Sequence, residues 1–214
     1  MPEHEERVMA TPATVPVVAD PAPLGLAGFA LTTFVLSAHN ANLGGFGDHA
    51  NAIVIGLAIF YGGLGQFMAG MWAFRNRNTF GATAFSTYGA FWLAIGTYLL
   101  LALFGKIKAD DVQVSLGWFV LAFAIFNTYM MIWATRINTA VFGVFLTLEI
   151  TEILLFLGYF NANSSLIQAG GWMGILTALV AWYTSAADVA NSQVPGSVWV
   201  GAPVWKPMPA RPRR

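Results

Sequence analysis

Two glutamates stand three residues apart in FLTLEITEILLF, a stretch with no other charge: Glu149 and Glu152. On a helix that spacing puts both on one face. A carboxylate set among apolar residues needs a proton or a partner, and is a functional candidate by default in a membrane. The pair could carry a proton. Alternatively it could bond hydroxyls or amides on neighbouring helices or subunits. Gln66, in YGGLGQFMAG, raises the same choice. A buried amide must bond another helix or contact a substrate. Asn127 reads first as a helix-to-helix bond and second as a substrate contact. Thr32 and Thr33 are expected to bond their own backbone carbonyls, with Thr32 also a candidate for the substrate path. His39 and Asn40 close an apolar run and read as interfacial. Asp48 and His49 could form an outer vestibule that responds to pH. His39 and His49 lack the carboxylate cluster that would support a metal site. GGLG lacks the Lys and Ser/Thr of a nucleotide loop. Zero cysteines exclude disulfides and thiolate ligands. No nucleophile–base set appears, so neither enzymatic chemistry nor a cofactor is implied.

The elements that must hold these residues are apolar. Of 214 residues, 57% are hydrophobic and 9% are charged. Soluble domains run near a quarter charged, so this composition belongs in a lipid bilayer. Net charge is zero, which argues against nucleic acid as a partner. Six segments are long enough to cross ~30 Å of hydrocarbon as helices, which takes about 20 residues. They run from Pro21 to Ala41, Asn51 to Phe74, Thr79 to Gly105, Val112 to Thr135, Ile137 to Phe160 and Ser164 to Ala187. The fold class is therefore all-α, a polytopic membrane protein with six transmembrane helices. Residues 21–190 form one domain, flanked by tails at 1–20 and 191–214. The first tail has no apolar core of signal-peptide length and reads as retained and flexible.

An even number of spans puts both tails on one side. That side also holds Arg75, Arg77 and Arg136. With Arg7, Lys206, Arg211, Arg213 and Arg214 it collects eight of the ten Lys and Arg, leaving Lys106 and Lys108 opposite. The positive-inside rule then makes both termini cytoplasmic, in a cell membrane. Small residues at four-residue spacing mark close helix packing: Gly65, Ala69 and Ala73; Ala82, Ser86, Ala90 and Ala94; Gly170, Gly174 and Ala178.

The first span opens with DPAPLGL. Asp20 is expected as the N-cap and Pro21 as the first helical residue, with Pro23 close behind. Gly25 and Gly28 permit close contact with a neighbour. Locally this is a rigid helix entry. It could also place an anion-attracting helix N-terminus beside a permeation path.

DPAPLGLAGFALTTFVLSAHN closely resembles the NPAPLGL signature of the acetate uptake transporter family, whose bacterial members include the succinate–acetate permeases. FYGGLGQFMAGMWAFRNRNTFGATAFSTYGAFW resembles the family's second and third spans nearly throughout, and GGWMGILTALVAWY resembles its last helix more loosely. The similarity covers about residues 20 to 190. Asp20 departs from the usual Asn, adding a charge that a passing carboxylate would meet. The resemblance implies a six-helix protomer, commonly hexameric, with a path through each subunit. It implies small monocarboxylates as substrates, chiefly acetate and sometimes succinate, in proton-linked or channel-like transport. It also implies an apolar constriction of Phe29, Tyr88 and Leu148, the last placed by register. Trp92 and Phe91, one turn beyond Tyr88, could line the same path or simply pack. A competing reading is a channel for a small neutral solute such as urea or ammonia. A third is a membrane scaffold or sensor.

Overall fold

The computed structural model describes residues 18–44 and 51–205. Asp48, His49, Arg7 and the basic residues from Lys206 onward lie outside the described residues. Helix α1 (Ala22–Asn40) is the first span. The second combines α2 (Asn51–Ile59), a π-helical turn (Phe60–Gly65) and α3 (Gln66–Arg75). Four unbroken helices follow: α4 (Thr79–Leu103), α5 (Ala109–Ala134), α6 (Thr139–Phe160) and α7 (Ser164–Gln193). Among the described residues, six spans are long and apolar enough to cross a membrane.

Three asparagines start helices where the sequence has short polar loops. Asn78 Oδ1 accepts the Gly81 N–H at 2.8 Å, and Asn138 Oδ1 accepts the Val141 N–H at 2.8 Å. Asn163 Oδ1 accepts from Ser165 and Leu166. Each satisfies donors that the first helical turn leaves open. The start of α1 differs from expectation. Pro21 is the cap residue, its carbonyl accepting the Gly25 N–H at 3.1 Å, so Asp20 lies one residue outside. The Asp20 carboxylate still engages the helix, accepting the Ala22 N–H at 3.0 Å. Pro21 lacks an N–H and already sits at φ −80°, so it supplies the helical entry itself.

The spans pack as successive neighbours: α5 on α6, α6 on α7, α7 on α1, α1 on the second span, and the second span on α4. The backbones of α4 and α5 meet only slightly. All six spans send side chains to one core centred on Tyr88, including Phe29, Ala69, Phe85, Met130, Leu148 and Ala181. Glycines set the tightest approaches. A Cβ on Gly28 would stand 2.7 Å from the Tyr61 carbonyl oxygen, and one on Gly25 would stand 2.6 Å from the Phe85 ring. Of the expected small-residue faces, Ala69, Ala73, Ala82, Gly170, Gly174 and Ala178 are buried, whereas Ala90 and Ala94 are exposed.

The last span outruns its expected end at Ala187 by nearly two turns. The stretch from Val194 to Trp205 is docked rather than loose. The Ala140 N–H donates to Val200 O at 2.9 Å, Thr139 Oγ1 to Ala202 O at 2.8 Å, and the Trp205 N–H to Thr135 O at 2.9 Å. The Arg136 guanidinium lies 4.4 Å from the Trp205 ring centroid.

Candidate functional site

A cavity of about 200 Å³ runs from one end of the bundle to its middle. Its mouth is polar because the starts of α1, α4 and α6 meet there beside the last turns of α7. Asp20 precedes α1, Asn78 caps α4, Asn138 caps α6, and Asp188 lies near the end of α7. Its walls are apolar: Leu26, Phe80, Phe85, Ile137, Val141, Val144 and Phe145. Its inner end is made by Phe29, Gln66, Tyr88 and Leu148.

Phe29, Tyr88 and Leu148 come from α1, α4 and α6 and are 5%, 4% and 6% exposed, so they face the interior and not lipid. The Phe29 and Tyr88 rings meet edge-on at 5.8 Å. Behind Tyr88 stands an aromatic layer: Phe126 at 5.5 Å, Phe123 at 5.9 Å and Phe91 at 6.2 Å, the last stacked on Phe119 at 5.0 Å. Beyond it a second cavity of about 200 Å³ opens between α4 and α5, lined by Ile95, Tyr98, Ser115 and Phe119 among others. Two chambers are thus separated by a neck of rings midway along the bundle.

The neck has a polar spine. Tyr88 O–H donates to Asn127 Oδ1 at 3.0 Å, and its oxygen lies 3.4 Å from Glu152 Oε1. Asn127 Nδ2 donates to Phe145 O at 2.9 Å and to Glu149 Oε2 at 2.7 Å, while Thr128 Oγ1 donates to Glu149 Oε1 at 2.7 Å. Both glutamates therefore reach one network and share a helix face, as their spacing predicts. Gln66 is 2% exposed and its Oε1 has no partner; Glu152 Oε2 has none either. A buried acceptor left open is costly. These two therefore stand ready for a donor.

Several expected residues fall elsewhere. Trp92 lines neither cavity; one turn past the inner end, it packs with Ala58 and Ile95. Thr32 is buried against Gly62 of the π-helical turn and is absent from the cavity lining. Neither Thr32 nor Thr33 bonds its own backbone: both hydroxyls are buried without a partner, a departure from the expected back-bonding. Pro21, Pro23 and Gly25 shape the entry of α1 without lining the cavity. His39 sits half-buried at the far end of α1. Among the described residues, no group of three or more His, Cys, Asp or Glu could hold a metal. Sequence reasoning missed Asp188 altogether and favoured a packing bond for Asn127 over a functional one. A polar residue amid YTSAADVAN was the available signal for the first.

The pattern of the GPR1/FUN34/yaaH family matches residues 4–205. The chain is 40% identical over 187 residues to the "Ammonia transport outward protein 2" of Saccharomyces cerevisiae. That match covers 85% of this chain but only 65% of the yeast protein's length. It is 35% identical over 176 residues to the "Succinate-acetate/proton symporter SatP" of Escherichia coli K12, covering 82% of this chain and 91% of that one. The solved structure of the bacterial acetate channel SatP superposes with a TM-score of 0.80 at 32% identity, covering 86% of this chain and 99% of the other.

Proposed function

Because this chain belongs to the GPR1/FUN34/yaaH family, we propose that it moves acetate and similar small monocarboxylates across a membrane, linked to protons, through the neck inside each protomer. The observation that carries the reading is the cavity ending on Phe29, Tyr88 and Leu148 at mid-span. Acetate is a carboxyl group on a methyl. A bare carboxylate in hydrocarbon is prohibitively costly, whereas the neutral acid costs far less. A path for it needs a few polar contacts and an apolar collar. Phe29 and Leu148 supply the collar; Tyr88 supplies ring and hydroxyl. Gln66 offers its open carbonyl to the acid's O–H.

Proton counting assigns the glutamates their part. Tyr88 has one hydroxyl proton, and Asn127 Oδ1 takes it at 3.0 Å. The contact at 3.4 Å to Glu152 is completed if Glu152 itself carries a proton and donates it to the Tyr88 oxygen. Glu149 and Glu152 are then the proton carriers, with Tyr88 and Asn127 coupling them to the neck. In this reading residues 21–190 are the transport domain of a homo-oligomer, hexameric by resemblance. Both termini are cytoplasmic, in a cell membrane.

The test is uptake of labelled acetate by purified protein in liposomes, with and without an inward proton gradient. Entry accelerated by the gradient is expected, with Glu149→Gln losing the acceleration; absence of acetate entry overturns the proposal. The name of the yeast relative favours a second reading, passage of ammonia as a small neutral solute. Ammonia flux exceeding acetate flux in the same vesicles would select it.

A further inference from the structure

We propose that Asp20 and Asp188 form a charge filter at the cavity mouth, admitting acids with at most one negative charge and holding back dicarboxylates. The inference rests on the reading of this cavity as the carboxylate path. Both aspartates line the mouth of the same cavity, so an entering anion meets both charges. Among the described residues, no Lys, Arg or His belongs to the lining. Asn76 Nδ2 donates to Ala19 O at 3.1 Å, which brings the α3–α4 loop close to Asp20. The flanking Arg75 and Arg77 are nevertheless exposed and leave the lining to the acids. Asp20 is fixed by its bond from the Ala22 N–H. The apolar walls below concentrate the field of the two carboxylates along the entrance. A separate feature points to a ligand in this cavity: Gln66, 2% exposed, closes it with an unpartnered Oε1.

A neutral acid passes this pair without electrostatic cost and a monoanion pays it once. A dianion meets two carboxylates with a further unit charge. A few ångströms away, at an effective dielectric between those of protein and water, that extra charge corresponds to about a tenfold loss of entry.

The experiment uses the full chain in liposomes at pH 7 and measures entry of labelled acetate, succinate and monomethyl succinate. The methyl ester keeps succinate's length with one charge. In the Asp20→Asn, Asp188→Asn double variant the succinate-to-acetate ratio is expected to rise about tenfold, while the ester-to-acetate ratio moves by less than about twofold. Asp188→Asn alone serves if the double variant does not fold, with a rise of about threefold. High salt should raise the wild-type ratio and leave the double variant's unchanged. An unchanged succinate ratio, or an ester ratio rising equally, overturns the filter while acetate transport stands. A wild type that admits no acetate overturns the transport reading and the filter with it.

Discussion

Tyr88 carries two jobs in one side chain, and a single substitution separates them. Tyr88→Phe preserves the ring that meets Phe29 edge-on but removes the hydroxyl that Asn127 Oδ1 accepts. Asn127 is fully buried, so its oxygen would be left without a donor at a cost of ~1–3 kcal/mol. Thermal unfolding in detergent should fall accordingly, and acetate uptake should drop about tenfold through loss of one polar contact to the substrate. Wild-type uptake in a destabilised Tyr88→Phe protein would confine the hydroxyl to a structural role. The meeting of Phe29, Tyr88 and Leu148 at one cavity end was reachable in the sequence through motif and register. The partner of Tyr88 was not, because Asn127 is 39 residues away and no local pattern links them. Asp188 was equally hidden: only the packing of α7 beside the starts of α1, α4 and α6 makes it part of the mouth. Trp92, open in the sequence between lining the path and simple packing, packs, because one helical turn from Tyr88 means a rise of about 5 Å along the axis, past the floor of the cavity.

At the scale of elements, the π-helical turn at Phe60–Gly65 positions Gln66, the residue that follows it. An extra residue in the turn shifts the face presented by everything after it, which is why such turns gather at functional sites. The run GGLG permits this geometry without dictating it, so the second span reads as one uninterrupted helix in sequence. What holds the turn is visible only in contact: Gly28 of α1 stands against the Tyr61 carbonyl. Gly28→Ala would place its Cβ 2.7 Å from that oxygen, and backbone cannot swing aside as a side chain can. A loss of ~1–3 kcal/mol is expected, with acetate uptake falling because Gln66 moves with the turn. Unfolding temperature and uptake measured together check this; a Gly28→Ala protein unchanged in both would mean that α1 and the turn can separate freely. The end of α7 was misjudged for a related reason. Hydropathy fades at Ala187, but the helix continues on its backbone bonds to Gln193 and turns into the docked stretch over Thr139 and Tyr183.

For the whole molecule the decisive quantity is parity. Six spans place the α3–α4 and α5–α6 loops on the side of both termini and the α4–α5 loop on the other. The cavity that ends on Tyr88 opens on the first of these sides, where Asn78 and Asn138 cap their helices. The charge count puts Arg75, Arg77 and Arg136 on that side and Lys106 and Lys108 opposite. The absence of cysteine makes the arrangement directly measurable. Arg75→Cys and Lys106→Cys each introduce one thiol at an exposed position, the end of α3 and the α4–α5 loop. In sealed cells, a membrane-impermeant maleimide should label Lys106→Cys from outside and reach Arg75→Cys only after the membrane is opened. Labelling of both from outside would break the six-span topology. Labelling of Arg75→Cys alone would invert it, so that the cavity, its aspartate mouth and the proposed charge filter would face the exterior.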